Sequence, residues 1–391
     1  MKVCVISFKE CWQNEAGEWF SSGGFPIQMG AIGSLFDEMT LMIVQVHPKE
    51  GGIPLPENAR VVPLRPPTGR DVRRKLSVLA HLPYYVGKMA RYIWKSDVVH
   101  VPVPGDLAFL GMIVAIVMQK YLIARYGSSW EITARTTFMN RVTKACMRWF
   151  AGGRNVMFAT GIGSVPPAPD MYWLFVTVIS KDEIAAVQPN LARAPSNPLE
   201  LAYVGRLSSE KGIAYLIRAL GLLKRDKDYS KKPFRLTLIG DGPQKAELMN
   251  LAAEESVSDW VRFAGQLNRS DLNQALLPTD VCVLPSLTES FCKARLDAML
   301  CGVPVVTTGV GFGREIIGRD GERGWLVPVA DAPALATALH DIINMPQDWP
   351  SLRRRCRKYS EGYTIEAWAE RIGQICVQQW NLSLVKGKLH T

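Results

Sequence analysis

Along the 391 residues, short apolar and β-branched runs alternate with longer stretches whose apolar positions recur every three or four residues. The runs at 3–7, 41–46, 97–103 and 174–179 predict strands, and the stretches at 30–37 and 107–124 predict helices. From residue 198 the rhythm sharpens. Strands are expected at 199–204, 235–239, 261–264, 281–284 and 304–307, with helices at 212–224, 243–255, 270–276 and 291–300 between them. Such alternation predicts an α/β protein with parallel sheets and helices on both faces. Ligands in these folds sit beyond the carboxyl ends of the strands, so the loops that follow strands are where chemistry is sought. Residues 188–198 carry three prolines and are the expected linker, which leaves domains at 1–187 and 198–363. A last stretch, 364–391, opens with Ile365, Trp368, Ile372 and Ile375 at helical spacing, a packing face without chemistry.

Composition narrows the class. Hydrophobic residues make up 48% of the chain and charged residues 21%, as in a soluble protein with large cores. The apolar run 107–118 stops at Gln119 and Lys120, short of the roughly 20 residues that span a bilayer. The opening MKVCVISF reads as a strand and not as a signal peptide. Eight cysteines are scattered without a CxxC pair, which favours a reducing, cytoplasmic setting. The formal charge of +10 suits phosphate-bearing ligands or an anionic membrane surface. Neither zinc-finger spacing nor an aromatic RNA-recognition signature accompanies it, so nucleic acid is not expected. Residues 70–95 mix seven Lys/Arg with Leu, Tyr and Trp. They read either as one helix with a solvated basic face or as a peripheral anchor on an anionic inner membrane face.

Three strand-to-helix junctions in the second half carry candidate chemistry. In VGRLSSEKGI, Gly205 and Gly212 bracket a loop that presents Arg206 and Lys211 at a helix amino terminus. Two cations beside free N–H groups suit a diphosphate, although a solvated basic turn has the same composition. IGDGP, at 239–243, is turn chemistry that closes a strand and opens a helix. In LPSLTESFCKARLDAMLCGVPVV, Glu289 is expected at a helix entrance with Asp297 eight residues on. On a helix that spacing gives an offset of about 80°, so both carboxylates can face one cleft and accept from sugar hydroxyls. The plainer readings are macrodipole stabilisation for Glu289 and an ion pair with Lys293 or a nearby arginine for Asp297.

Taken in order, GR…EKG, IGDGP, FAG (263–265), LPS…ES…DAM.CGVPVV and DGERGWLVP (320–328) resemble glycosyltransferase family 4, firmly over about 199–328. The resemblance implies a GT-B fold, with two Rossmann-like domains facing across a cleft and a C-terminal helix returning to the first domain. It implies that Arg206 and Lys211 bind the donor diphosphate, that Glu289 binds the transferred sugar and that Asp297 binds the ribose. The backbone of Ser290, Phe291 and Cys292 would lie against sugar and phosphate, and a glycine-rich loop, here Gly23 and Gly24, would close over the diphosphate. Four positions depart from the family pattern. Asp297 replaces the usual glutamate, Ser290 and Cys292 stand where glycines are common, and Tyr126-Gly127 stands where His-Gly is expected.

The implied reaction retains anomeric configuration and needs neither metal nor cofactor. The acceptor attacks on the leaving-group face of a nucleotide-diphosphate sugar, and a donor phosphate oxygen takes its proton. A hexose would thereby pass to a glycan or lipid-linked acceptor in cell-surface polysaccharide or glycolipid synthesis. Two other enzyme classes use similar halves: a nucleotide-sugar epimerase, which needs acid/base side chains at the sugar, and a phosphorylase, which needs a pyridoxal-bearing lysine. A degenerate protein that binds nucleotide sugars without transfer is the non-enzymatic alternative.

Overall fold

The computed structural model describes residues 1–49, 51–69, 71–132, 136–226, 234–344 and 348–390. The chain divides into two compact units, Met1–Val178 with Ile365–Thr391, and Ile179–Thr364.

Unit 1 opens with β1 (Lys2–Gln13), β2 (Trp19–Ser21), α1 (Phe25–Gly33), β3 (Glu38–Gln45), β4 (Ile53–Pro54) and β5 (Ala59–Leu64). It continues with α2 (Asp71–Ala80), α3 (Leu82–Trp94), β6 (Val98–Val103), α4 (Asp106–Val117), β7 (Tyr121–Tyr126), α5 (Phe138–Phe150), β8 (Asn155–Thr160) and β9 (Met171–Leu174). Seven strands pair in parallel in the order β5-β3-β1-β6-β7-β8-β9, while β2 turns back on the end of β1 and carries β4. Side chains alternate across this sheet, as the two-residue strand period requires. Val3 and Val5 join a core with Phe25, Met29 and Ile32 of α1, whereas Cys4 and Ile6 join one with Tyr85, Met89, Leu107 and Met112 of α3 and α4.

Several sequence expectations shift here. The helix predicted over 107–124 ends at Val117; Gln119 adopts φ 54 and the chain re-enters the sheet as β7. The strand predicted at 174–179 lies at Met171–Leu174. The single helix predicted over 70–95 is two, because the chain breaks at His81 and Pro83 opens α3. Arg70 lies outside the described residues. Part of that segment's charge is spent internally: Arg74 pairs with Asp106 at 3.0 Å and Lys88 donates to the Pro63 carbonyl at 2.6 Å.

Unit 2 contains α6 (Lys181–Ala186), β10 (Leu199–Val204), α7 (Ile213–Arg225), β11 (Phe234–Ile239), α8 (Lys245–Glu254), β12 (Val261–Gly265) and α9 (Arg269–Leu276). There follow β13 (Val281–Leu284), α10 (Ala294–Leu300), β14 (Val305–Thr308), α11 (Gly313–Ile317), β15 (Gly324–Val327), α12 (Ala332–Asn344) and α13 (Trp349–Glu361). The six strands run in parallel in the order β12-β11-β10-β13-β14-β15. The order reverses at β10, which places a crevice at the carboxyl ends of β10 and β13. Residues of the proline-rich stretch are fastened to this unit by fully buried Asp280, which takes Arg193 at 2.7 Å, Arg353 at 2.9 Å and the Ser196 amide at 2.9 Å.

The chain ends with α14 (Ile365–Trp380), β16 (Ser383–Val385) and β17 (Lys388–His390). Trp368, Ile372 and Ile375 of α14 complete the core beneath α1, so this helix belongs to unit 1.

Candidate functional site

The loop after β10 makes one tight turn, Ser209–Lys211, before α7 begins. Gly212, between them, has φ 66, and a Cβ there would sit 2.1 Å from the Pro285 carbonyl oxygen. Only glycine satisfies both demands, and its presence lets the amino end of α7 close onto the loop after β13. The Leu287 amide donates to the Glu210 carbonyl at 2.8 Å and locks the two loops together. The Ser208 hydroxyl donates to Glu210 at 2.5 Å and holds its carboxyl below the usual range.

This closure brings Lys211 to Glu289, and the ammonium donates to Oε1. The side chains are 22% and 10% exposed. Arg206 lies in the same loop but is exposed, and its guanidinium makes no hydrogen bond or ion pair among the described residues. Its backbone carbonyl accepts from the buried Tyr203 hydroxyl at 2.9 Å, which fixes the turn. Arg206 and Gly205 also line a pocket of about 420 Å³ at the carboxyl ends of β10, β11 and β12, with Gly240, Asp241, Gln266 and Leu267.

Glu289 is not at a helix start. Cys292 adopts φ 58 and α10 begins only at Ala294, so residues 289–293 form a reversing loop and the wheel argument for a shared face fails. Glu289 and Asp297 instead take different cations. Asp297, in the first turn of α10, accepts from Arg269 Nη1 at 2.6 Å; Arg269 Nε donates to Glu183 at 2.7 Å, and Asn273 reaches Glu183 at 2.5 Å. Arg269 Nη2 is enclosed without a partner among the described residues. The Ser290 and Phe291 backbone continues the Glu289 loop, but the Phe291 side chain is buried, 6.5 Å from the Phe312 ring. Cys292 holds a left-handed conformation that glycine adopts freely, and burial lifts its thiol to about 11.

Sequence reasoning passed over Arg295, which is fully buried and donates to loop carbonyls of Gly311 at 2.6 Å, Val310 at 2.8 Å and Phe291 at 3.3 Å and to the Thr307 hydroxyl of β14 at 3.2 Å. It is the strut under the Glu289 loop. Arg269 and Glu183 were missed too. The one signal for Arg269 was its place behind Asn268, whose side chain caps α9 in the loop after a strand.

Gly23 and Gly24 belong to unit 1, whereas the other candidates belong to unit 2. Gly23 has φ 69, and Gly24 precedes α1 without a side-chain cap, which leaves the first-turn N–H groups open. Tyr126 is 1% exposed, edge-on to Trp130, so it faces the core. Among the described residues no group of three or more His, Cys, Asp or Glu side chains is gathered to hold a metal ion, and no helix is long and apolar enough to cross a membrane.

Residues 188–363 match the family described as glycosyl transferases group 1. A stretch of 184 residues, 46% of this chain and 42% of the relative, is 35% identical to a glycogen synthase of Mycobacterium tuberculosis. Another of 162 residues, 40% of this chain and 39% of the relative, is 33% identical to the putative colanic acid biosynthesis glycosyltransferase WcaL of Salmonella typhimurium. The chain thus spans about two-fifths of the length of these curated relatives. Two solved structures share the fold across 97% of the chain. They are Anabaena Alr3699/HepE in complex with UDP (TM-score 0.69, 18% identity, all of that chain) and sucrose-phosphate synthase from Thermosynechococcus elongatus (TM-score 0.70, 21% identity, 98% of that chain). The chain shares the GT-B fold of these two structures, and its residues 188–363 match the glycosyl transferases group 1 family.

Proposed function

We propose that the protein transfers a hexose, with retention, from a nucleotide-diphosphate sugar to a glycan or lipid-linked acceptor. The observation that carries this reading is the loop closure that sets Lys211 against Glu289, with unpaired Arg206 beside them at the mouth of a pocket. A diphosphate needs cations at a helix amino end, and a sugar needs a fixed acceptor for its hydroxyls; both lie at one crevice of unit 2. Arg206 and Lys211 stabilise charge on the departing diphosphate, Glu289 orients the hexose, and the pocket bounded by Gly240, Gln266 and Leu267 takes the nucleoside. Asp297, steered by Arg269, serves the ribose. The acceptor's proton passes to a donor phosphate oxygen, so the transfer needs no metal. The relatives named for glycogen and colanic acid synthesis support a polysaccharide setting. A cytoplasmic place beside the membrane follows if the acceptor is lipid-linked, with exposed Leu76 and Leu79 of α2 as contacts.

One observation favours a second reading. Asp297 is already engaged by Arg269, which suits a protein that holds nucleotide sugars without transferring them. Incubation of the purified chain with UDP-, GDP- and ADP-hexoses, with nucleoside diphosphate release as readout, separates the two. Steady release that Lys211→Ala abolishes supports transfer chemistry. Tight donor binding with no release supports the second reading.

A further inference from the structure

Unit 1 keeps a positive charge in its interior with no carboxylate against it among the described residues. Arg125, the penultimate residue of β7, is 6% exposed and shares a face of the sheet with Ile123, the face that α1 and α14 cover. Its Nη2 donates to Gln28 Oε1 at 2.9 Å, and Gln28 Nε2 donates onward to the Thr177 carbonyl at 3.3 Å. The guanidinium lies over the Trp368 ring, 5.2 Å from the centroid. Its Nε is enclosed and makes no hydrogen bond, as is His100 Nε2 on the adjacent strand.

Neither neighbour neutralises it. His100 Nδ1 lies 3.1 Å from the Ile123 carbonyl, which can only accept, so Nδ1 carries the proton and Nε2 is a bare lone pair. Burial, followed by the charge of Arg125, holds this histidine down to about 3, and it stays neutral at physiological pH. Burial lowers Arg125 to about 10, which still leaves it cationic at pH 7. A charge kept out of water without a counter-ion is unfavourable, and a methionine or leucine would glue α1, β7 and α14 together without that cost. An enclosed cation with an idle donor is instead what an oxyanion site presents before its ligand arrives. Its position agrees: Arg125 lies at the carboxyl end of the parallel sheet, tied through Gln28 to the first turn of α1, whose amino end has no side-chain cap.

We infer that Arg125, supported by Gln28 and the amino end of α1, binds an oxyanion carried by the acceptor, either a phosphate or a uronic-acid carboxylate. The word acceptor rests on the transfer reading; oxyanion binding by unit 1 stands without it.

The test is the melting midpoint of the full chain in inorganic phosphate, methyl phosphate or glucuronate, each against sodium chloride at equal ionic strength. The wild type is expected to gain several degrees with one class of anion, and that class names the acidic group. Arg125→Met is expected to lose the gain. Gln28→Glu places a carboxylate on the guanidinium and is expected to melt at or above the wild type while losing the response, which keeps the test decisive if Arg125→Met does not fold. Saturating UDP is added as a last arm. Shifts from UDP and phosphate that add together support a site separate from the donor. Abolition of the phosphate shift by UDP assigns Arg125 to the donor diphosphate and overturns the acceptor claim. Equal responses in all three proteins, or none in any, overturn the site. A phosphate response without any nucleotide response sinks the donor reading and leaves this one standing.

Discussion

Lys211 and Glu289, 78 residues apart in sequence, form an ion pair that exists only because Gly212 lets α7 close onto the loop after β13. The cation assigned to phosphate and the carboxylate assigned to sugar therefore hold each other in place before any donor arrives. The guanidinium of Arg206, in the same loop, has no partner among the described residues.

That asymmetry separates two substitutions with the same effect on turnover. Arg206→Ala and Lys211→Ala are each expected to cut transfer by about 10²–10³, the range for removal of one charge-stabilising donor. Arg206→Ala should leave stability within about 0.5 kcal/mol of wild type, as exposed unpartnered positions do. Lys211→Ala strands the Glu289 carboxylate and should cost about 1–3 kcal/mol. Turnover and urea midpoints of the two variants check this, and equal midpoints would contradict the structural role of the pair.

Gly212→Ala is expected to be more damaging than its size suggests. The added Cβ meets a backbone oxygen at 2.1 Å in addition to the positive φ. Gly265→Ala is the control, since φ there is 73 but nothing lies within 4 Å of the new carbon. The control should cost about 1–2 kcal/mol from the left-handed backbone alone. Gly212→Ala should cost several and lower the affinity for donor, which melting curves and nucleotide titration would show together.

Arg269 holds two carboxylates at once, Glu183 and Asp297. Arg269→Leu leaves both without a counter-ion and is expected to destabilise by about 3 kcal/mol while raising donor KM more than it lowers kcat. An unchanged KM would remove Asp297 from the donor site.

Alkaline pH should weaken the fold. Burial pushes all eight thiols above their ordinary 9.0, Cys292 to about 11 and Cys4 and Cys301 to about 12. Because the folded state resists deprotonation, their contribution is full below pH 9 and is lost as pH rises through 11 and 12. The urea midpoint should stay flat from pH 7 to 9 and then fall. Iodoacetamide should leave Cys292 unmodified in the folded chain at pH 7.5.

Five of the six strands of unit 2 were legible because each ends at or beside a residue that breaks the pattern. Gly205, Gly240 and Pro285 stop β10, β11 and β13 within a residue of their observed ends. Unit 1 lacks such punctuation. The apolar run of α4 passes into β7 with only Gln119 and Lys120 between, and Gln119 turns the chain with a left-handed backbone that its side chain does not advertise. β5 was missed because Pro63 sits inside it, where proline ordinarily argues against a strand. At the site, the glycines and charged residues of the motif were readable one by one. What stayed hidden was partnership: Lys211 with Glu289, Arg269 with Asp297, and Arg295 with the carbonyls it spans, all of which depend on which loops the sheet order brings together.

The donor site is tested most directly by the melting midpoint of the full chain with UDP-, GDP- and ADP-sugars and their diphosphates, with and without magnesium. A donor at about 100 times its dissociation constant adds about 2.7 kcal/mol to stability. The expected result is a shift of several degrees with one nucleotide, equal in EDTA and magnesium, and lost in Arg206→Ala. No shift with any nucleotide, or one that Arg206→Ala and Lys211→Ala both retain, would contradict a donor site at this crevice.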